Sequence, residues 1–510
     1  MNDDQSFVKN VLTGDQMSAL IKIEQAPLTV HLHIGDQSLS EGSAGKHSHI
    51  YPATATVTSE IPLAGKAEAD AAVSAAHAAF GGWRATLPSR RREILQRLAI
   101  LIRENAAEFG KLGAVDNGTP AAFAAFGAHI AADWVNYYAG CADRIEGRVN
   151  SSVTENGELG YTLNEPYGVI GIIITWNGPL ISLGMKVAPA LAAGNTVVVK
   201  PSEMTPYSGE LFMKLAREAG VPAGVINMIP GSVEAGEALV RHPLVEKVSF
   251  TGGPVTARKI LAACAEAIKP AVLELGGKSA NIIFDDADLD AACAFGVDNA
   301  IGMMSGQGCA FPTRMLVQQT IYDEVVKRVL ARAAHIQVGD PFLPHTTSGP
   351  VINEAGLHRI LGMIERARHD GSGTLLMGGN RLGGDLADGY FIEPTIFGNV
   401  DPESLLAQEE VFGPVLAITP FKDEDEAIAI ANSTQYGLSA YIQTSSLART
   451  LRVAERLKSG VVLVNGSQNI QPNRPFGGLG LSGYGREGGK EGLDEFIRVK
   501  TVGIRLPAAG

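Results

Sequence analysis

The sequence predicts an α/β protein with two parallel-sheet domains and a small β element. Three observations carry that reading. Between residues 165 and 283, short Val- and Ile-rich runs alternate with helical windows, and a second alternating region spans about 285 to 477. Strands that are apolar throughout belong to a sheet covered on both faces, the arrangement produced by helical crossovers between parallel strands. The length, 510 residues, leaves room for two to four domains of roughly 100 to 200 residues each.

Taken in chain order, residues 1–30 show little period, and 31–60 carry strand-like fragments with turn signals such as Glu41-Gly42-Ser43. The pattern is helical from 66 to 112, and 92–109 places Ile94, Leu95, Leu98, Leu101 and Ile102 on one stripe. Strands are expected at 169–176, 196–200, 225–229, 247–250, 271–273 and 282–284, with helices at 182–193, 207–219, 233–240 and 255–267 between them. Ligands of such a sheet bind at the carboxyl ends of its strands. The second region is expected to place helices at 321–334 and 354–368 and strands at 314–318, 415–419 and 461–465. Residues 143–164 and the tail 495–506 read as extended segments outside both domains.

Composition excludes several functions. With 42 basic and 54 acidic residues the net charge is −12, a surface that repels phosphate backbones, so no nucleic-acid partner is expected. The longest strongly apolar run, 169–176, is too short to cross a hydrocarbon layer of about 30 Å. The first ten residues, MNDDQSFVKN, are polar and acidic, unlike a secretory leader, and point to the cytoplasm. Cys141, Cys264, Cys293 and Cys309 form no CxxC pair, so thiol chemistry is expected rather than disulfides. The pairs His31/His33 and His47/His49 lack neighbouring cysteines or carboxylates in sequence, and no metal site is expected.

Several short stretches suggest chemistry. In Gly306-Gln307-Gly308-Cys309-Ala310, a cysteine sits among small residues in a loop before a strand, where it can be reached; the bland alternative is a buried thiol serving as a small hydrophobe. As a nucleophile it must be a thiolate, which needs local help because an unperturbed thiol titrates near about 8.5. In Leu273-Glu274-Leu275-Gly276-Gly277, apolar flanks raise the carboxylate toward the range useful to a general base, unless it is salt-bridged or solvent-facing. The glycine pair would let a flat ligand approach the backbone. Asn177, after Thr175 and Trp176, ends the most apolar strand, where its amide can hold an oxyanion or merely form a turn. Lys200-Pro201-Ser202-Glu203 and Phe250-Thr251-Gly252-Gly253 suit nucleotide binding at strand ends, the latter before a helix N-terminus that can receive a pyrophosphate.

In this order TWNGPL, KPSE, FTGG, LELGGKS, GQGC, EEVFGPV (409–415) and PFGGLGLSGYGRE (475–487) resemble the NAD(P)-dependent aldehyde dehydrogenase superfamily over roughly 30–505. The resemblance implies a Rossmann-type cofactor domain at 1–143 and 165–274 and a catalytic domain at 275–478. It also implies an oligomerisation element and C-terminal segment at 144–164 and 479–510, giving a homodimer or homotetramer. By similarity Cys309 attacks the aldehyde, Asn177 and the Cys309 backbone N–H hold the oxyanion, and water activated by Glu274 hydrolyses the thioester to the acid. Lys200 and Glu203 fall on the adenine ribose, Glu410 on the nicotinamide ribose and Phe412 on the nicotinamide ring. Thr175, Trp176, Ser202, Gly252, Gly253, Leu275 and Gly276 complete the cofactor contacts. Lys186 and Glu487 match proton-relay positions and are otherwise ordinary surface charges.

Glu203 beside the ribose 2′ position favours NAD over NADP, since a carboxylate accepts from a hydroxyl and repels a phosphate. Gly253 replaces a common serine and removes one hydroxyl contact to the pyrophosphate. Gly308 and Ala310 flank the nucleophile where many relatives are bulkier, which predicts a roomier pocket. Trp176, Met185, Phe311 and Phe476 near it favour a hydrophobic or aromatic aldehyde. An acylating enzyme that passes the thioester to coenzyme A is disfavoured by Glu274. A catalytically silent binding protein is disfavoured by the intact set of Cys309, Glu274 and Asn177.

Overall fold

The computed structural model describes residues 20–23, 25–151, 158–467 and 470–505; the first ten residues, read above as polar and leaderless, lie outside the described ones. Its largest sheet has eight strands in the order Gly483–Tyr484, Ala271–Glu274, Val245–Thr251, Val169–Ile173, Thr196–Lys200, Ile226–Met228, Leu32–Ile34, Gln37–Leu39. The five central strands are parallel. From Val169–Ile173 the chain winds outward in one direction and then, through Val245–Thr251, in the other. A crevice opens where the direction reverses, at the carboxyl ends of these two strands.

The strands behave as their composition dictates. Val169–Ile173 and Thr196–Lys200 are buried at every position, and the helices Pro179–Ala192, Tyr207–Glu218, Val233–Arg241 and Pro254–Glu266 supply the crossovers. The seven-stranded second sheet runs Thr374–Met377, Thr395–Gly398, Val415–Phe421, Arg314–Gln318, Ala280–Ile283, Ser439–Gln443, Val461–Val464, and only Thr374–Met377 is antiparallel. A third, three-stranded sheet joins Ile497–Arg505, Glu158–Pro166 and Val149–Ser151. There Val149 and Val499 are 77% and 64% exposed, an apolar surface unusual for a finished fold.

Several details differ from the sequence reading. The stripe at 92–109 is split: Pro88–Glu104 and Ala106–Asn117 are separate helices broken at Asn105, which donates its side-chain amide back to Leu101 O. The strand read at 282–284 is Ala280–Ile283, and it sits in the second sheet rather than the first. Gly483–Tyr484, inside the 479–510 segment expected to lie with the oligomerisation element, pairs instead with Ala271–Glu274 at the edge of the first sheet. That pairing brings the 475–487 segment against the strand carrying Glu274.

Candidate active site

Thr175 to Asn177 leave the strand Val169–Ile173 at the crevice, and the chain turns at Gly178 into the helix Pro179–Ala192. Thr175 Oγ1 donates to Asn177 Oδ1 at 2.6 Å, and Asn177 Nδ2 donates to Gln307 O at 3.0 Å. The amide expected to hold an oxyanion is thereby tied to the loop that carries Cys309. Asn117 holds the other side, donating to Trp176 O at 2.9 Å.

The Cys309 loop arrives through an unusual backbone path. Met304 and Ser305, with φ of 48° and 51°, and Gly306, with φ of 71°, lie in succession in the left-handed region, which costs non-glycine residues about 1–3 kcal/mol each. Gln307 fastens the turn, its Oε1 accepting from Ile352 N–H at 3.0 Å. Cys309 keeps some exposure and abuts the large apolar cluster that holds Met185, Ala310 and Phe476. Phe311 folds back so that its ring covers Gly308, filling space that the small residue would otherwise leave open. The roomier pocket expected there is therefore partly occupied.

Electrostatics runs against a standing thiolate. Burial pushes the Cys309 thiol up to about 12, and the nearby carboxylates Glu410 and Glu274 push the same way, opposed by the backbone N–H groups of Cys309 and Ala310. Among the described residues no cation offsets this, so the help that a thiolate needs is not supplied there by a side chain of positive charge.

Glu274 ends its strand 4% exposed, and neither carboxylate oxygen has a hydrogen-bond partner among the described residues. Burial first, and then repulsion by Glu487, raise its pKa well above the carboxylate range; Lys186 and Arg486 pull it back. Lys186 and Glu487 are not surface charges: both are buried, they form an ion pair, and Lys186 Nζ also donates to Ser249 Oγ at 3.0 Å. Phe476 and Glu487 exchange backbone hydrogen bonds, which holds the 475–487 segment beside Glu274.

Gly276 and Gly277 are required by close neighbours within the protein. A Cβ at Gly276 would strike the Glu410 carboxylate, and one at Gly277 the Cys309 carbonyl. Gly277 N–H donates to Glu410 Oε1 at 2.8 Å, while burial raises Glu410 to about 7 against that bond. Phe412, with φ of 49°, stands edge-on to Trp176 at 5.5 Å between centroids. Arg359 donates to Val411 O at 2.7 Å and steadies this loop.

Across the crevice Lys200 Nζ bonds to Gly231 O and lies 3.7 Å from Glu203. Ser202 is turned to its own loop, its Oγ accepting from Met204 N–H at 3.3 Å. Gly252 N–H donates to Glu274 O at 3.1 Å, and Leu275 N–H donates to Ser482 O at 3.1 Å, so both serve the strand ends. Gly253 precedes the helix Pro254–Glu266 in extended conformation, and a Cβ there would meet nothing. Unpaired first-turn N–H groups, an open approach at Gly253 and the Lys200/Glu203 pair on one rim fit a dinucleotide with its pyrophosphate at that helix.

The family model described as the aldehyde dehydrogenase family matches residues 39–502. The chain belongs to the aldehyde dehydrogenase family. It is 43% identical over 461 residues to an aldehyde dehydrogenase of Alternaria alternata, covering 90% of this chain and 91% of that one. Another, from Emericella nidulans, is 41% identical over 491 residues, covering 96% and 97%. The crystal structure of betaine aldehyde dehydrogenase from Staphylococcus aureus in complex with NAD+ superposes with a TM-score of 0.91 at 34% identity, over 94% of this chain and 95% of that one. The protein is thus an aldehyde dehydrogenase that uses a nicotinamide dinucleotide, and the two α/β sheets are those of the family fold.

Asn117 and Arg359 brace the site from outside every motif stretch. Gln307 does so from within GQGC, yet nothing in a linear sequence signals its partners Asn177 and Ile352.

Proposed function

We propose that this aldehyde dehydrogenase oxidises a hydrophobic or aromatic aldehyde to the carboxylic acid with NAD, through covalent capture on Cys309. The observation that carries this reading is a buried, unpartnered Glu274 within the electrostatic reach of the Cys309 thiol. An orphan carboxylate is costly, about 1–3 kcal/mol or more for a buried polar group, and a general base with a raised pKa repays that cost in rate.

In this reading Glu274 takes the thiol proton as Cys309 Sγ bonds to the aldehyde carbon. The developing oxyanion accepts from Asn177 Nδ2, released from Gln307 O, and from the Cys309 N–H. A nicotinamide dinucleotide held at this crevice would supply the acceptor for the hydride lost from the captured aldehyde carbon. Once that proton has passed outward, Glu274 takes a proton from water as the water oxygen attacks the thioester carbon and returns it to the departing sulfur, freeing the acid and the thiol. Lys186 and Glu487 carry the proton from Glu274 outward, which suits their burial and contact. Lys200, Glu203 and Glu410 hold the two riboses, Phe412 and Trp176 border the nicotinamide, and Glu203 favours NAD over NADP. The domain division stays at 1–143 with 165–274, 275–478, and 144–164 with 479–510. The apolar outer surface of the third sheet suits assembly into a homodimer or homotetramer.

The test follows NADH absorbance with aliphatic, aromatic and terpenoid aldehydes, each with and without coenzyme A. The reading expects the highest kcat/KM for large apolar aldehydes and no need for coenzyme A. Absorbance that depends on coenzyme A would replace the hydrolytic reading by the acylating one.

A further inference from the structure

Far from the reaction pocket, the fold assembles a donor set that the sequence conceals. His31 immediately precedes the strand Leu32–Ile34 and His33 lies within it, so the period of two puts both imidazoles on one face. The helix Tyr207–Glu218 brings Glu210 against that face, supplying the carboxylate whose absence from the local sequence argued against a metal. Glu210 Oε1 lies 3.1 Å from His31 Nδ1, and Oε2 lies 2.9 Å from His33 Nε2. The His31 backbone N–H fixes the carboxylate from a third direction at 3.0 Å. One ligand atom from each residue falls within 4.8 Å of the others.

We propose that His31, His33 and Glu210 form a site for one divalent ion of the zinc class, clamping the edge strands of the first sheet to the helix that carries Glu210. Two imidazoles and a carboxylate are a donor set suited to zinc, with water completing four-coordination. A tetrahedral site with bonds of about 2.0–2.1 Å needs its ligand atoms about 3.4 Å apart. Each imidazole already contacts one carboxylate oxygen near that spacing, the two contacts using different oxygens, and with all three ligand atoms within 4.8 Å no pair need close by more than about 1.4 Å. The side chains are 28%, 3% and 15% exposed for His31, His33 and Glu210, so the site is anchored inside and open to entry beside His31.

The surrounding groups define how an ion would enter. Arg217 donates to His33 Nδ1 at 2.6 Å, which leaves the ring proton on Nε2 facing Glu210. Coordination by Nε2 moves that proton to Nδ1, where Ser38 Oγ at 3.2 Å can accept it, and Arg217 must swing aside. Ser38 Oγ, 3.1 Å from Arg217, already offers the arginine an alternative partner. Arg217 therefore competes with the ion, both for the ring and through its charge.

The experiment titrates metal-stripped full-length protein carrying Cys309→Ser, which removes the reactive thiol, with zinc chloride by calorimetry, and with cobalt chloride by absorption spectroscopy. One equivalent per chain is expected, with a higher melting midpoint and a cobalt spectrum free of thiolate charge-transfer bands. Glu210→Gln and the more exposed His31→Gln should each weaken zinc at least about tenfold, whereas Arg217→Gln should tighten it. That opposite sign separates an ion site from a hydrogen-bonded latch, which all three substitutions would only loosen. Absence of saturable uptake, a thiolate band, or affinity unchanged in both ligand variants would overturn the proposal.

Discussion

Asp116 and Glu274 are both buried carboxylates, one at the N-terminus of the helix Tyr207–Glu218 and the other at the end of the strand Ala271–Glu274. Asp116 accepts from the N–H groups of Tyr207 and Ser208, each at 3.0 Å, and from Ser208 Oγ at 2.8 Å. Glu274 accepts from no group among the described residues. Burial raises both, but Asp116, with three donors pulling it back, stands at about 7, whereas Glu274 is restrained only by the charges of Lys186 and Arg486. The contrast separates a carboxylate that organises structure from one held ready for protons. A satisfied buried group fastens elements together; an unsatisfied one lowers stability and is retained where its reactivity is used.

The sharpest break of the comparison lies in the reaction pocket. Cys309→Ala should abolish oxidation while leaving dinucleotide binding near normal, because the cofactor contacts lie on other loops; substantial residual turnover would remove the nucleophile. Asn177→Ala should lower kcat by about 10²–10³-fold, the usual cost of losing an oxyanion donor, and a change confined to KM would contradict that role. Glu487→Gln removes the charge that most raises Glu274 after burial, so the acid limb of the kcat profile should move to lower pH. A limb left in place would disconnect the two carboxylates.

Asp116→Asn tests the other side. It should cost about 1–3 kcal/mol of stability, read from denaturant midpoints, with kcat per folded molecule unchanged. The sign of its pH dependence follows from the raised value of about 7. Stability contributed by protonated Asp116 is complete below about pH 4 and is lost as the pH rises through 7, so the penalty of the asparagine should shrink over that window. A growing penalty would mean that the ionised carboxylate is the favoured state.

Much of this arrangement is legible in the chain itself. The two strand series, and the helices Glu354–His369 and Tyr322–Ala333, follow from uninterrupted apolar runs and helical periodicity, which are local properties. The burial of Glu274 follows in the same way from its leucine neighbours. What the chain hides is long-range: the pairing of Gly483–Tyr484 with Ala271–Glu274, which sets Glu487 near the base, and the meeting of His31 and His33 with Glu210. The expected thiolate-stabilising environment is likewise a matter of which charges converge, and here those charges are carboxylates. Phe311 folding onto Gly308 belongs to this group too, since the size of a glycine says nothing about which ring covers it.

Rapid mixing of Glu274→Gln with NAD and an apolar aldehyde addresses the division between the two carboxylates most directly. With Cys309 capturing aldehyde slowly but deacylation lost, one equivalent of NADH per subunit should form and turnover then stop, with the acyl group recoverable on Cys309 by mass spectrometry. Steady-state turnover equal to that of the parent enzyme, with no acyl adduct, would contradict the assignment.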